Sequence, residues 1–167
     1  RHLSPFFIFA LMNTLIYFSQ YICYYLTARN KHGIHSPFVF QLLTEVIQTK
    51  RFYYNRSKKH SALTSLLLSH FKPKSIVEIG SYNLSEKSMI YNQDFQNIKE
   101  DLIDFIYIQK ATKETLNKAL KYMHNDSVLV LNNIHQTKEK WKFLQSHSKV
   151  NVSINLYYIG LIFLREQ

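Results

Sequence analysis

The second half of the chain alternates short apolar runs with stretches in which apolar residues recur every three or four positions. The apolar runs predict strands at Ser75–Ser81, Asp104–Ile108, Ser127–Ile134, Val150–Tyr157 and Tyr158–Leu164. The amphipathic stretches predict helices at Thr112–Met123 and Lys138–His147. Because strands separated by helices pair in parallel, we expect an α/β fold with a mostly parallel sheet. The last two strands leave no room for a helix between them and predict a C-terminal antiparallel hairpin at the sheet edge.

A helical region is predicted before this sheet. Ser36 followed by Pro37 indicates a helix start, since the hydroxyl can cap free N–H groups and proline suits the first helical position. This helix would cover residues 37–50, with an inward stripe of either Phe38, Leu42 and Val46 or Phe40, Leu43 and Ile47. A second helix is predicted at His60–Phe71, before a break at Lys72-Pro73-Lys74. The predicted divisions are an N-terminal helix (1–28), a helical cap region (29–74) and an α/β core (75–167).

The N-terminal stretch Leu3–Ala28 carries no charged side chain and is rich in aromatic residues. Its length would allow a helix to span a bilayer, although several polar residues interrupt its middle. Three interpretations stay open: a helix docked on the domain or on a partner, a membrane-associated helix, and a signal-like segment. The expected location is cytoplasmic, with peripheral membrane contact through this helix as the alternative.

The composition narrows the class of protein. With 167 residues, of which 46% are hydrophobic, the chain is long enough for one domain with a core. Its formal net charge of +10 favours attraction to polyanions, but solvated lysine-rich helix faces explain the same charge. We expect no specific nucleic-acid recognition, even from the basic and aromatic stretch at 50–59. Cys23 is the only cysteine, so neither a disulfide within the chain nor a cysteine cluster for zinc can form.

The end of the first predicted core strand carries the clearest functional pattern. The apolar run Ser75–Ser81 contains Glu78 and ends on Gly80, as at the opening of a Rossmann-like nucleotide site. No further glycine follows until Gly160, so the glycine-rich turn is nearly absent. The sequence therefore predicts a Rossmann-like sheet with part of its cofactor site removed.

Three segments resemble the class I S-adenosylmethionine-dependent methyltransferases, in their bacterial O-methyltransferase-like branch. They are YYLTARNKHGIHSPFVFQLLTEVI in the cap region, HNDSVLVLNNIH around a core strand, and NVSINLYYIGLIFLREQ at the C-terminal hairpin. The resemblance covers most of Tyr21–Gln167 and makes 75–167 a reduced methyltransferase-like core. It implies that S-adenosylmethionine binds at the carboxyl edge of the sheet and that its methyl group passes to a small acceptor. The residues implied are Glu78, Gly80 and Ser81 at the cofactor, Asn132 and Asn133 at the acceptor, and His135 as the base.

The connection after Gly80 departs from that family. Ser88–Asp94 resembles the family's third strand and its exit, yet it follows Gly80 almost at once. Since a parallel crossover usually needs a dozen residues or more, Ser81–Lys87 is predicted to be too short for one. The family's first helix, second strand and second helix would then be deleted. Ser88–Asn92 would pair differently, become helical within Leu84–Asp101, or stay loose.

The chemistry after the later strands also departs from the family. Gln109-Lys110 stands where the family carries an aspartate, and Asn132-Asn133 replaces a pair that includes at least one aspartate. Neutral amides bind hard cations far more weakly than carboxylates do, and a lysine repels them. We therefore expect no metal and a methyltransferase-like pseudoenzyme with weak or lost activity. The alternatives are a non-enzymatic basic interaction module and a decayed product whose exposed sheet edges promote self-association.

Individual candidates also have structural interpretations. His135 could serve as a general base or merely cap a turn, and Glu78 could contact a cofactor or cap N–H groups at the sheet edge. The two histidines of the turn, His32 and His35, are too few for a metal site. Trp141 lies at a core spacing of its predicted helix and is expected to pack inward.

Overall fold

The computed structural model divides the chain into two compact units, residues 1–35 and 36–167. It describes residues 19, 22, 36–47, 59–80, 89–91, 95 and 102–165. In the first unit only Ser19 and Ile22 are described, and both are helical and exposed. No helix among the described residues has the length and apolar character needed to cross a bilayer. The prediction for residues 1–28 otherwise lies outside the described part of the chain.

The cap region begins with a short helix, α1, at Pro37–Leu42, which continues as a π-helical stretch at Leu43–Ile47. Ser36 caps it as predicted, because its Oγ accepts a hydrogen bond of 3.3 Å from the backbone N–H of Val39. Leu42 and Val46 of the first predicted stripe are buried, and so is Ile47 of the second stripe, whereas Phe40 is exposed. The second cap helix, α2, covers Lys59–Phe71.

The core is one six-stranded sheet. Its strands are β1 at Ile76–Ile79, β2 at Met89–Tyr91, β3 at Phe105–Ile108, β4 at Val128–Asn132, β5 at Val152–Asn155 and β6 at Ile159–Phe163. They lie in the order β2-β1-β3-β4-β6-β5. The first four pair in parallel, whereas β6 pairs antiparallel with both β4 and β5. The predicted α/β, Rossmann-like sheet and its C-terminal antiparallel hairpin are both confirmed.

The pairing of β2 contradicts the prediction for the segment after Gly80. β2 lies parallel to β1, with Met89 beside Val77 and Tyr91 beside Ile79. The chain therefore has to return by only two residues and move over by one strand, a distance of about 8 Å at usual strand spacings. Residues 80–88 are long enough for that, because the strands themselves are short. The prediction that this connection excludes a parallel neighbour was wrong, while the deletion of family elements stays a prediction.

Two helical layers cover the sheet. Helix α3 at Lys113–Tyr122 and helix α4 at Lys138–Gln145 pack on one face together with Ile106 and Ile108. The cap helices pack on the other face, where the neighbouring residues Phe105 and Tyr107 point. This alternation within one strand is what a sheet buried on both faces requires.

A polar cluster ties together the amino-terminal ends of β1, β3 and β4. One carboxylate oxygen of Asp104 accepts hydrogen bonds from the backbone N–H groups of Lys74 (2.6 Å) and Ser75 (3.1 Å). The other lies 3.0 Å from Nε2 of His124. Burial raises the pKa of Asp104, but these backbone hydrogen bonds and the contact with His124 outweigh it and hold the pKa below its usual value.

Candidate cofactor and acceptor site

Four chain segments meet at the carboxyl edge of the sheet. Because β1, β3 and β4 are parallel, Gly80, Gln109 and Asn132 all lie where their strands end on this edge. The antiparallel strand β6 starts at the same edge, which brings in the turn Tyr157-Tyr158. Ligands of open α/β sheets bind at such an edge, so this is the candidate site.

Two separate features of the structure favour glycine at position 80. Its φ is +111°, a value that residues with a side chain rarely adopt. A Cβ at this position would also lie 2.9 Å from Cβ and 3.1 Å from Oε1 of Gln109. The N–H of Gln109 donates to the carbonyl of Ile79 over 2.9 Å, which holds that residue beside the turn. The amide side chain of the residue after β3 therefore closes one side of the Gly80 turn, while Gly80 itself is only half-buried.

Glu78 lies inside the sheet, with none of its surface exposed. It is in register with Ile90 of β2 and Tyr107 of β3. Since side chains alternate along a strand, Glu78 shares its face with Ile76, which packs in the cluster below the cap helices. Its predicted contact with a cofactor stays a prediction, and Ser81 lies outside the described residues.

Asn132 and Asn133 build the turn that follows β4. Oδ1 of Asn132 accepts a 2.9 Å hydrogen bond from the N–H of Asn133, which has a left-handed φ of 54°. The carbonyl of Asn133 accepts hydrogen bonds from the N–H of Gln136 (3.0 Å) and from Oγ1 of Thr137 (3.2 Å). Asparagine tolerates this conformation better than most residues. The structure thus shows a turn-forming role for both asparagines, and their predicted contact with an acceptor stays a prediction.

His135 lies in an aromatic cluster that the sequence did not predict. Its ring stacks on Tyr157, with centroids 5.2 Å apart and planes 14° apart. It also meets Tyr158 at 4.9 Å and 81°, an edge-to-face contact. Tyr157 is 7% exposed and Tyr158 is 40% exposed, so the cluster is buried on one side and open to solvent on the other. A signal for it existed: the predicted hairpin, with an antiparallel last strand, places the Tyr157-Tyr158 turn at the edge where β4 ends.

The predicted site residues that the structure describes at this edge of the sheet are Gly80, Asn132, Asn133 and His135. Gln109 and Lys110 follow β3, so they lie between Gly80 and the other three. Lys110 is exposed. The described part of the chain contains no group of three His, Cys, Asp or Glu residues that could hold a metal ion. Neutral amides beside an exposed lysine do not fit a hard divalent cation.

Comparison with known proteins shows the fold of the chain. No family model matches it, and no curated protein matches it in sequence. A Klebsiella pneumoniae protein assigned to the O-methyltransferases superposes with a TM-score of 0.51 at 11% identity, over 88% of this chain and 96% of that one. The SAH-bound methyltransferase PaMTH1 of Podospora anserina gives a TM-score of 0.51 at 11% identity, over 99% of this chain and 100% of that one. The chain therefore has a Rossmann-like, methyltransferase-like fold.

Proposed function

We propose that the chain is a methyltransferase-like protein that binds S-adenosylmethionine at the carboxyl edge of its sheet and has weak or no transfer activity. The observation that supports this most directly is Gly80. It ends β1 on the ligand-binding edge with a φ of +111° and remains half-buried, so its backbone can be approached from solvent. A methyltransferase with the same fold, PaMTH1, is described as SAH-bound.

Each candidate residue has a distinct part in this proposal. Gly80 and Ser81 would hold the cofactor by their backbone, with Glu78 beneath them in β1. Asn132 and Asn133 would line the acceptor side. S-adenosylmethionine, when bound, supplies a methyl group on a positively charged sulfur. The imidazole of His135 would accept the proton of the acceptor's hydroxyl group, since its ordinary pKa lies near neutrality.

Weak activity follows from the side chains that end β3 and β4. Carboxylates there could hold a metal ion and orient an acceptor, whereas this chain presents Gln109, Lys110, Asn132 and Asn133. No metal-assisted step is assigned to the chain. A small-molecule acceptor would have to be positioned by neutral amides and by the aromatic cluster around His135.

Calorimetric titration with S-adenosylmethionine and S-adenosylhomocysteine, with and without Mg²⁺, tests the proposal. We expect micromolar binding that is independent of Mg²⁺ and is lost in Gly80→Val. The control is Lys72→Val, because Lys72 also has a positive φ (46°) but follows α2 and precedes the amino-terminal end of β1. It places a β-branched residue on a left-handed backbone away from the site, with less added strain than Gly80→Val because Lys72 already carries a Cβ. Absence of binding at millimolar ligand in the unsubstituted protein would overturn the proposal.

The basic surface of α3 and α4 supports a second candidate, a non-enzymatic interaction module. Exposed lysines on these helices include Lys113, Lys121, Lys138 and Lys142. Such a surface would bind anionic lipid or another polyanion with an affinity that falls steeply with salt. Vesicle co-sedimentation over a salt series tests it. Equal partition into neutral and anionic vesicles would count against it.

A further inference from the structure

Two residues with left-handed backbones lie next to the aromatic cluster around His135. Asn133, with φ 54°, precedes His135 by two positions, and Tyr157, with φ 69°, stacks on it. The two turns are joined, since the N–H of Ile134 donates to the carbonyl of Tyr158 over 3.2 Å. The turn after β4 and the turn before β6 thus form one unit around the imidazole.

The two positions differ in how well the residue suits its backbone. Asparagine is several-fold enriched in the left-handed region, whereas a bulky aromatic residue there is an outlier. The turn around Tyr157 has its own anchor, because Oδ1 of Asn155 accepts a 2.8 Å hydrogen bond from the N–H of Tyr157. Glycine or asparagine at position 157 would satisfy this turn with less strain. The turn alone therefore does not account for a tyrosine.

The contacts of the Tyr157 ring give a reason for a tyrosine at this position that the backbone conformation does not give. It is 93% buried (7% exposed) and lies nearly parallel to the imidazole of His135. Tyr158 meets the same imidazole edge-on and also packs at 4.7 Å and 89° against Tyr157. Two aromatic rings therefore contact the imidazole from two different directions, one on its face and one edge-to-face.

We infer that Tyr157 is a positioning residue, whose strained backbone is retained because its buried ring fixes the orientation of the His135 imidazole at the carboxyl edge. The inference deepens the proposed function, on which it rests for the role of His135 as a base. It concerns the order of a side chain, however, and can be tested without any ligand. Failure of cofactor binding and failure of this inference are therefore distinguishable.

The experiment measures the order of histidine rings by ¹³C relaxation in the full chain. The chain has eight histidines, and the signal of His135 is assigned by its loss in His135→Gln. In the unsubstituted protein we expect the ring of His135 to be more ordered than that of His70, which is exposed on α2. Equal disorder of the two rings would overturn the inference, even if no variant of Tyr157 folds.

Two substitutions distinguish the effect of the aromatic ring of Tyr157 from the effect of its apolar volume. Tyr157→Phe keeps the stacked ring and should leave the order parameter of the His135 ring unchanged. Tyr157→Leu keeps an apolar side chain without the ring, and the order parameter should fall toward the mobile range below about 0.6. A merely structural role would lower stability in Tyr157→Leu but leave the His135 ring ordered, and this result would contradict the inference.

Discussion

Replacing Gly160 by alanine tests how the core is packed at the junction of β6 and α4. Gly160 is the buried second residue of β6 and lies between Leu131 of β4 and Asn155 of β5. The indole of Trp141 lies over it, so a Cβ would be 2.7 Å from Cε3 and 2.9 Å from Cη2, with Cζ3 closer still. Trp141 is 5% exposed, as expected from its position on α4. The tryptophan thus occupies the space that a side chain at position 160 would need.

These distances set the size of the expected stability loss in Gly160→Ala. Carbon atoms pack best at about 3.5–4.0 Å, so the indole would have to withdraw by about 1 Å or more. Overpacking of this kind typically costs about 1–3 kcal/mol, whereas removing a glycine from the unfolded chain gains only about 0.4–1 kcal/mol. We therefore expect Gly160→Ala to lower the free energy of unfolding by about 1–2 kcal/mol. For a domain of this size the melting temperature would fall by about 2–8 °C.

Urea unfolding followed by circular dichroism measures the effect, since Trp141 is the only tryptophan and its fluorescence would report the substitution itself. Trp141→Leu removes the crowded ring atoms, so the double variant with Gly160→Ala should lose less stability than the two single losses summed. Ser153→Ala on the exposed side of β5 is the control, with an expected change within about 0.5 kcal/mol. An unchanged or raised stability of Gly160→Ala, or strictly additive losses, would refute the packing argument.

Further predictions concern the polar groups that fix the ends of the elements. Since the pKa of Asp104 is lowered in the folded state, its stabilisation is present above its usual value of 3.8 and is lost as pH falls through the folded pKa. The difference in unfolding free energy between the unsubstituted protein and Asp104→Asn should therefore shrink on acidification, and a difference independent of pH would contradict this. Thr112→Ala removes the 3.0 Å cap hydrogen bond of α3 and should cost about 0.5–2 kcal/mol in urea unfolding, whereas Thr112→Ser should restore most of it. Ser36→Ala should cost less, because its cap bond to Val39 is longer at 3.3 Å, and an equal loss would count against distance as the cause.

The helix and strand positions of the second half follow from local sequence signals. Thr112 ends the extended chain and caps α3, while Met123 terminates it within one residue of the predicted end. β4 is an uninterrupted apolar run because both faces of the sheet are covered, and its composition alone predicts such a strand. Trp141 likewise lies on the predicted inward face of α4. These features depend on neighbours only a few residues away.

The pairing of β2 does not follow from such signals. The usual minimum length of a parallel crossover describes connections that contain a helix and span strands of ordinary length. Here the paired part of β1 and β2 is three residues long, so the return distance shrinks along with the strand. A sequence pattern gives the composition of a segment, but the required loop length depends on a register that only the folded sheet defines.

The two parts of the candidate site, the Gly80 turn and the aromatic cluster around His135, differ in the same way. Gly80 could be identified from sequence because a glycine at the end of a core strand has a local conformational cause, which the φ of +111° confirms. The partners of His135 have no such local signal, because Tyr157 and Tyr158 reach it from a turn more than twenty residues away and only the predicted hairpin topology points to them. Their approach depends on β6 entering the sheet antiparallel beside β4. The antiparallel end of the sheet therefore also brings two aromatic rings to His135, the residue that we propose as the base.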